Sequence, residues 1–115
     1  RRMMGRIAAE LADFTVITAE DPRTEELEAI MAEVAGGCRE GGGTEGQTYE
    51  RVADRGEAIA RAVALAKPGD VVIVCGKGHE QSMCFGTTEY PWDDRQALAA
   101  ALEGEPPRTL PTARI

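Results

Sequence analysis

The stretch Asp70-Val71-Val72-Ile73-Val74-Cys75-Gly76-Lys77-Gly78-His79-Glu80 decides how the rest of the chain is read. Five apolar residues, three of them valine and one isoleucine, run without interruption into a glycine-bracketed lysine. A short, continuous, β-branched run predicts a strand buried on both faces of a sheet. The glycines let the backbone turn sharply and leave little bulk in the way of a ligand. A cation, the chain's single imidazole and a carboxylate are thereby placed at the carboxyl end of a central strand. In open α/β sheets that edge is where ligands bind.

Working outward, Lys67-Pro68-Gly69-Asp70 is a turn feeding this strand. Before it, Asp54 and Glu57 have capping-box spacing, and Ile59, Ala62, Val63 and Ala66 line one face of a helix. A short strand is expected over residues 49–52. Residues 37–48, with Gly41-Gly42-Gly43 and almost no apolar side chains, predict a mobile surface loop. The helix before that loop carries Leu27, Ile30, Met31 and Val34 on one face, and Gly36-Gly37 is expected to end it. Asp21 ahead of Pro22 is one candidate N-cap for this helix, with Thr24 as the rival. Residues 14–18 are β-branched enough for a strand, and Met4, Ile7, Ala8 and Leu11 have helical spacing within residues 2–12.

Downstream, residues 81–85 and 87–90 flank Gly86 and predict a short antiparallel hairpin. Asp93 and Gln96 again have capping-box spacing, and Leu98, Ala101 and Leu102 support a last helix ending at Gly104. One domain is expected over residues 1–104, followed by an extended or disordered tail over 105–115 with Pro106, Pro107 and Pro111. Strands alternating with helices predict an α/β fold whose sheet is mostly parallel with helices on both faces. Such sheets open with a strand, whereas this chain opens with a helix, so a first strand is expected upstream of Arg1.

Composition bounds the function. At 115 residues, 43% hydrophobic and 29% charged, the chain matches one soluble domain. Twenty acidic residues against thirteen basic ones, a net charge of −7, argue against a phosphate-tracking nucleic-acid binder. No apolar run approaches the ~20 residues of a membrane span. Arg1-Arg2-Met3-Met4 leads straight into an amphipathic pattern rather than a signal peptide. Cys38, Cys75 and Cys84 lack C-x-x-C spacing and fit reduced thiols in a cytoplasmic protein. With one histidine, a His-rich metal site is excluded.

Gly76-Lys77-Gly78 is not a P-loop, which needs four residues before its Gly-Lys pair and Ser or Thr after it. Nor is it G-x-G-x-x-G, since position 81 is Gln. On spacing alone a structural turn and a ligand loop stand equal. Arg23 also follows a strand, so it and the Gly76 loop are expected at the same sheet edge. Its planar fork suits a carboxylate or phosphate; the plain alternative is a solvated arginine paired with Glu20 or Glu26. Glu80 can accept from an ammonium group or simply be a surface carboxylate. His79 more readily orients a loop than performs acid–base work. Glu25, Glu26 and Glu28 suit the first turn of a helix, and Trp92 beside Pro91 suits a packing anchor.

Three separated motifs carry a resemblance over residues 1–104. Ala19-Glu20-Asp21-Pro22-Arg23-Thr24-Glu25-Glu26, then Gly76-Lys77-Gly78-His79-Glu80, then Asp94-Arg95 before a final helix, resemble the C-terminal domain of MurE-type Mur ligases. Those enzymes add the third residue of the peptidoglycan stem peptide to UDP-N-acetylmuramoyl-L-Ala-D-Glu. The resemblance implies a three-layer Rossmann-like domain, with a strand and a Gly-Asp-Arg-Asp loop preceding Arg1. It implies a ligase reaction in which ATP phosphorylates the D-glutamate carboxylate and an incoming amine attacks the acyl phosphate. ATP and Mg2+ are expected mainly on N-terminal and central domains absent from this chain, which alone is expected to be inactive and to hold no catalytic residue.

The resemblance further implies that Arg23 grips the distal carboxylate of meso-diaminopimelate, while the Gly76 backbone and Glu80 hold the ammonium end. Glu20, Lys77 and His79 fall in the same motifs as loop-orienting or accessory positions. The family's Asp-Asn-Pro-Arg falls on Glu20, Asp21, Pro22 and Arg23, so an asparagine has become Asp21. An ionised carboxylate only accepts hydrogen bonds, so Asp21 is expected to attract an ammonium and repel a carboxylate. The rival expectations are a lysine- or other diamine-adding ligase of the same kind, and a free-standing binding module that kept the fold without the chemistry.

Overall fold

Thr15 stands beside Tyr49, Val16 beside Glu50 and Ile17 beside Arg51, two short strands running parallel. We describe them in a computed structural model that covers residues 1–77 and 79–110. In chain order the elements are α1 (Arg2–Leu11), β1 (Thr15–Ile17), α2 (Leu27–Glu40), β2 (Tyr49–Arg51), α3 (Arg55–Leu65), β3 (Ser82–Phe85), β4 (Thr88–Pro91) and α4 (Asp94–Leu102). Beside the parallel pair β1–β2 and the antiparallel pair β3–β4, an isolated bridge sets Arg23, in the loop after β1, beside Phe85 of β3. Helices α1 and α2 pack on one another, as do α3 and α4, and β1 touches one member of each pair. The result is the expected three-layer α/β arrangement, with a core centred on Ile17, Met31, Tyr49, Ile59, Met83 and Phe85. No described helix is long and apolar enough to cross a membrane.

Both predicted N-caps are present through the cap residue's own side chain, the second to a residue one position earlier than the Asp93–Gln96 spacing names. Asp54 Oδ1 accepts from the Glu57 backbone N–H, and Asp93 Oδ1 accepts from that of Arg95, each opening a helix. Gly104 follows α4 with a left-handed φ of 76°, as a C-terminal glycine should.

Two expectations fail for reasons of packing. Gly36-Gly37 does not end α2, which runs on to Glu40. Both glycines are buried because α1 crosses there: a Cβ on Gly37 would overlap Arg2 O, and one on Gly5 would overlap Val34 O. These positions permit backbone-to-backbone approach, and α1 meets α2 through this small-residue face. Its apolar residues Met4, Ile7 and Leu11 face solvent instead. The loop expected from 37 therefore begins at Gly41, and it is tied internally by the Thr44 N–H to Thr48 Oγ1 bond at 2.9 Å.

The second failure is the central strand. Residues 71–75 form no ladder among the described residues; of their backbone, the Cys75 carbonyl alone is bonded, to Arg55. Val71 and Ile73 are 83% and 76% exposed, while Val72 and Val74 are half-buried. Val72 borders a cavity of about 420 Å3 shared with Val63, Leu98 and Leu102, and Val74 packs on the core. One face lies against helices and core while the other is open to solvent among the described residues, so burial alternates with period two. Residues 105–110 carry no helix or strand, and the Leu110 N–H donates to Asp54 Oδ2 at 2.7 Å. Residues 111–115, including Pro111, lie outside the described part.

Candidate functional site

The loop leaving β1 alternates in direction. Ala19 is wholly buried, Glu20 is exposed, Asp21 turns inward, Pro22 is buried and Arg23 is exposed. Asp21 does not cap α2, which begins at Leu27 with Glu26 as N-cap, and Thr24 does not cap it either. Asp21 Oδ1 instead accepts from Lys77 Nζ and from the Cys84 backbone N–H, both at 2.9 Å. Partial burial opposes ionisation of this carboxyl. The Lys77 and Cys84 hydrogen bonds and the charges of Lys77 and Arg23 outweigh it, and the pKa lies below the ordinary value.

On the facing loop, Gly76 has φ 103°, a left-handed conformation that side chains resist. The Glu20 carboxylate lies against it, so that a Cβ at Gly76 would be 3.0 Å from Glu20 Oε2. Lys77 is the hub. Its side chain is 0% exposed and its Nζ lies 2.9 Å from both Asp21 Oδ1 and Glu80 Oε2. Burial alone would depress this amine; its two carboxylate partners outweigh that and leave its pKa raised. The Glu80 N–H returns to Lys77 O at 3.0 Å, closing the turn, and half of the Glu80 side chain stays open to solvent. His79 is exposed and makes no side-chain hydrogen bond among the described residues, and Gly78 lies outside them.

Arg23 stands at φ 55°, the one described non-glycine residue in the left-handed region. Its N–H donates to Cys84 O at 3.2 Å and its carbonyl accepts from the Gly86 N–H at 2.7 Å, so the β3–β4 hairpin holds that backbone from both sides. Conformations of this kind cost about 1–3 kcal/mol and persist where the surroundings over-determine them. The guanidinium has no ion pair or side-chain hydrogen bond among the described residues, contrary to the plain alternative of pairing with Glu20 or Glu26.

Beneath the two loops lies a group that periodicity did not single out. Arg55, 2% exposed, donates from Nε and Nη2 to the two oxygens of Asp94, from Nη1 to Ala19 O and from Nη2 to Cys75 O, each at 2.8 Å. Trp92 Nε1 donates to Asp94 Oδ1 at 2.7 Å, so Trp92 is the expected anchor with a polar role besides. Burial would raise the Asp94 carboxyl, but Arg55 and Trp92 outweigh it and hold it below the ordinary value. The signal in the sequence was the Asp94-Arg95 pair and an arginine directly after an N-cap, neither of which reveals burial.

Among the described residues no three His, Cys, Asp or Glu side chains converge where they could hold a metal ion. The loop lysine, moreover, is engaged by two carboxylates. The described residues therefore do not fit a Mg2+–nucleotide site. What the loops can do is bind, with a guanidinium suited to a carboxylate and a lysine-anchored carboxylate suited to an ammonium.

In this α/β domain the loop after β1 and the loop at Gly76 meet through Asp21 and Lys77, and the loop edge of such folds is where ligands generally bind. Residues 1–78 match the family described as Mur ligase, glutamate ligase domain, and the chain belongs to that family. It is 46% identical over 103 residues to the UDP-N-acetylmuramyl-tripeptide synthetase of Roseiflexus sp. (strain RS-1), covering 86% of this chain and 20% of that protein. It is 46% identical over 103 residues to the UDP-N-acetylmuramoyl-L-alanyl-D-glutamate--2,6-diaminopimelate ligase of Prochlorococcus marinus (strain MIT 9313), covering 90% of this chain and 19% of that one. A solved structure of a 2,6-diaminopimelate ligase superimposes with a TM-score of 0.75 at 28% identity, over 90% of this chain and 20% of the other. The chain thus spans about a fifth of the length of these relatives.

Proposed function

We propose that this chain is the amino-acid-holding domain of a cytoplasmic, ATP-dependent ligase of peptidoglycan biosynthesis. The full protein joins a diamino acid, meso-diaminopimelate, to UDP-N-acetylmuramoyl-L-Ala-D-Glu through a new amide bond. Activation of the acceptor carboxylate by ATP with Mg2+ belongs to parts of the protein outside this chain. Arg23 receives the distal carboxylate, while the Gly76 backbone and Glu80 receive the ammonium end. Lys77 orients Glu80, and Glu20 lies over Gly76.

The observation that carries this reading is the Arg23 guanidinium, without an ion pair among the described residues, on a backbone clamped at φ 55°. A strained, doubly held residue whose charge is left free is what a preformed carboxylate receptor requires. Asp21 does not disqualify it. Its carboxylate is paired with Lys77 at 2.9 Å, an ammonium it shares with Glu80, so the repulsion expected from replacing an amide by a carboxylate is reduced within the protein.

The test is ligase activity of the full-length protein with ATP, the UDP-linked dipeptide and either meso-diaminopimelate or L-lysine. Turnover with diaminopimelate and not lysine is expected. Turnover with lysine would overturn the substrate, and turnover with neither would overturn the enzyme reading.

A further inference from the structure

We propose that Arg55 is a positioning residue for the amino-acid site, setting the spacing of the two loops that carry it. The inference rests on the reading of the site given above. Arg55 does not face the ligand. Its guanidinium is buried and holds the carbonyls of Ala19 and Cys75, the first two residues ahead of Asp21 and the second adjoining Gly76. In an intact sheet, ladder hydrogen bonds would set such a separation. Here residues 71–75 have no ladder partner among the described residues, and the guanidinium bridges the segment after β1 and the segment before Gly76.

The geometry suits arginine and not lysine. One edge of the planar group is taken up by Asp94 in a two-bond fork, which leaves Nη1 and the second Nη2 hydrogen aimed at the two carbonyls. A lysine has three donors from one point and cannot reproduce that fan. Asp94 is fixed in turn by the Trp92 indole, so the α4 N-terminus, α3 and both loops meet at one buried charge pair. Lys77 to Asp21 forms a second bridge closer to the ligand, and its length depends on the loops already being at the right distance.

The experiment compares Arg55→Lys and Asp94→Asn with wild type in the full-length protein. Two readouts are taken: KM for diaminopimelate, ATP and the UDP-linked dipeptide, and amide hydrogen exchange of the Glu80, Cys84 and Gly86 N–H groups without ligand. A shift of about 1 Å in a binding group can cost up to ~100-fold. We expect both variants to raise KM for diaminopimelate about tenfold or more and to leave the other two KM values within about twofold. Exchange at those amides should rise about tenfold while that within α2 is unchanged. Equal rises in all three KM values, or an unchanged diaminopimelate KM in a folded variant, would overturn the proposal. If Arg55→Lys does not fold, Asp94→Asn carries the test. A wild-type protein that ignores diaminopimelate defeats the substrate reading, and the exchange result then decides the positioning role by itself.

Discussion

Lys77 Nζ lies 2.9 Å from Asp21 Oδ1, joining two loops 56 residues apart through a fully buried ammonium. Removing one member of such a pair leaves the other without its counter-charge, and hydrogen bonds to charged groups contribute about 1.5–3 kcal/mol. Lys77→Met is therefore expected to lower the unfolding free energy by about 2–3 kcal/mol in urea titrations. Asp21→Asn should cost less, because Glu80 remains to balance the lysine. A Lys77→Met protein as stable as wild type would mean the pair adds nothing beyond an apolar contact.

The acid limb of stability follows from Asp21 and Asp94. Both carboxyls are held below their ordinary value despite burial, by Lys77 and the Cys84 N–H in one case and by Arg55 and Trp92 in the other. A lowered folded-state pKa contributes stability that is complete above the unfolded value, about 4, and is lost as pH falls through the folded value. Lys77 has the opposite sign: its raised pKa contributes stability below about pH 10.4 that disappears as pH rises through the folded value. Unfolding free energy should accordingly be flat between about pH 6 and 8, above which the buried thiols of Cys38 and Cys84, held neutral by burial, begin to favour the unfolded chain. Asp94→Asn should lower it at pH 7 and make its decline between about pH 5 and 2 shallower. An unchanged acid slope in that variant would remove Asp94 from the account.

Arg23 is predicted to trade stability for binding. Glycine relieves the φ of 55° whereas alanine does not, so Arg23→Gly should be more stable than Arg23→Ala by about 1 kcal/mol. Both should raise KM for diaminopimelate in the full-length protein by about tenfold or more, with Arg23→Lys between them and wild type because the two-pronged fork is lost. Equal stability of the Gly and Ala variants would show that the backbone is not strained. A KM unchanged by either would refute the carboxylate contact.

Gly37 tests the α1–α2 contact. A methyl group there meets Arg2 O on the facing backbone, which cannot swing aside as a side-chain end could. Gly37→Ala should cost about 3 kcal/mol or detach α1, seen as lost helical signal and faster amide exchange over Arg2–Leu11. Gly42→Ala, with nothing within 4 Å, should cost only the ~1 kcal/mol of its left-handed φ.

The sequence by itself determined most of the elements and marked the two loops that meet at the candidate site. Helical spacing and caps located α1, α3 and α4, because those signals are local and depend on a few neighbouring residues. The motifs around Asp21, Arg23, Gly76 and Glu80 marked the two loops. Tertiary structure decided the rest, wherever a residue's meaning depends on a distant partner. Gly36-Gly37 has the composition of a helix end, yet it is a crossing point, because only the approach of α1 distinguishes the two. Residues 71–75 have the composition of a doubly buried strand, yet one face is open, because burial is supplied by neighbours and not by the strand itself. Asp21 reads in sequence as a repulsive substitution, yet Lys77 lies beside it, and Arg55 has no local signal of its burial, because its partners Ala19, Cys75 and Asp94 are distant in the chain. Charge in a sequence is a count; its effect depends on the distance to the opposite charge and on the water excluded between them.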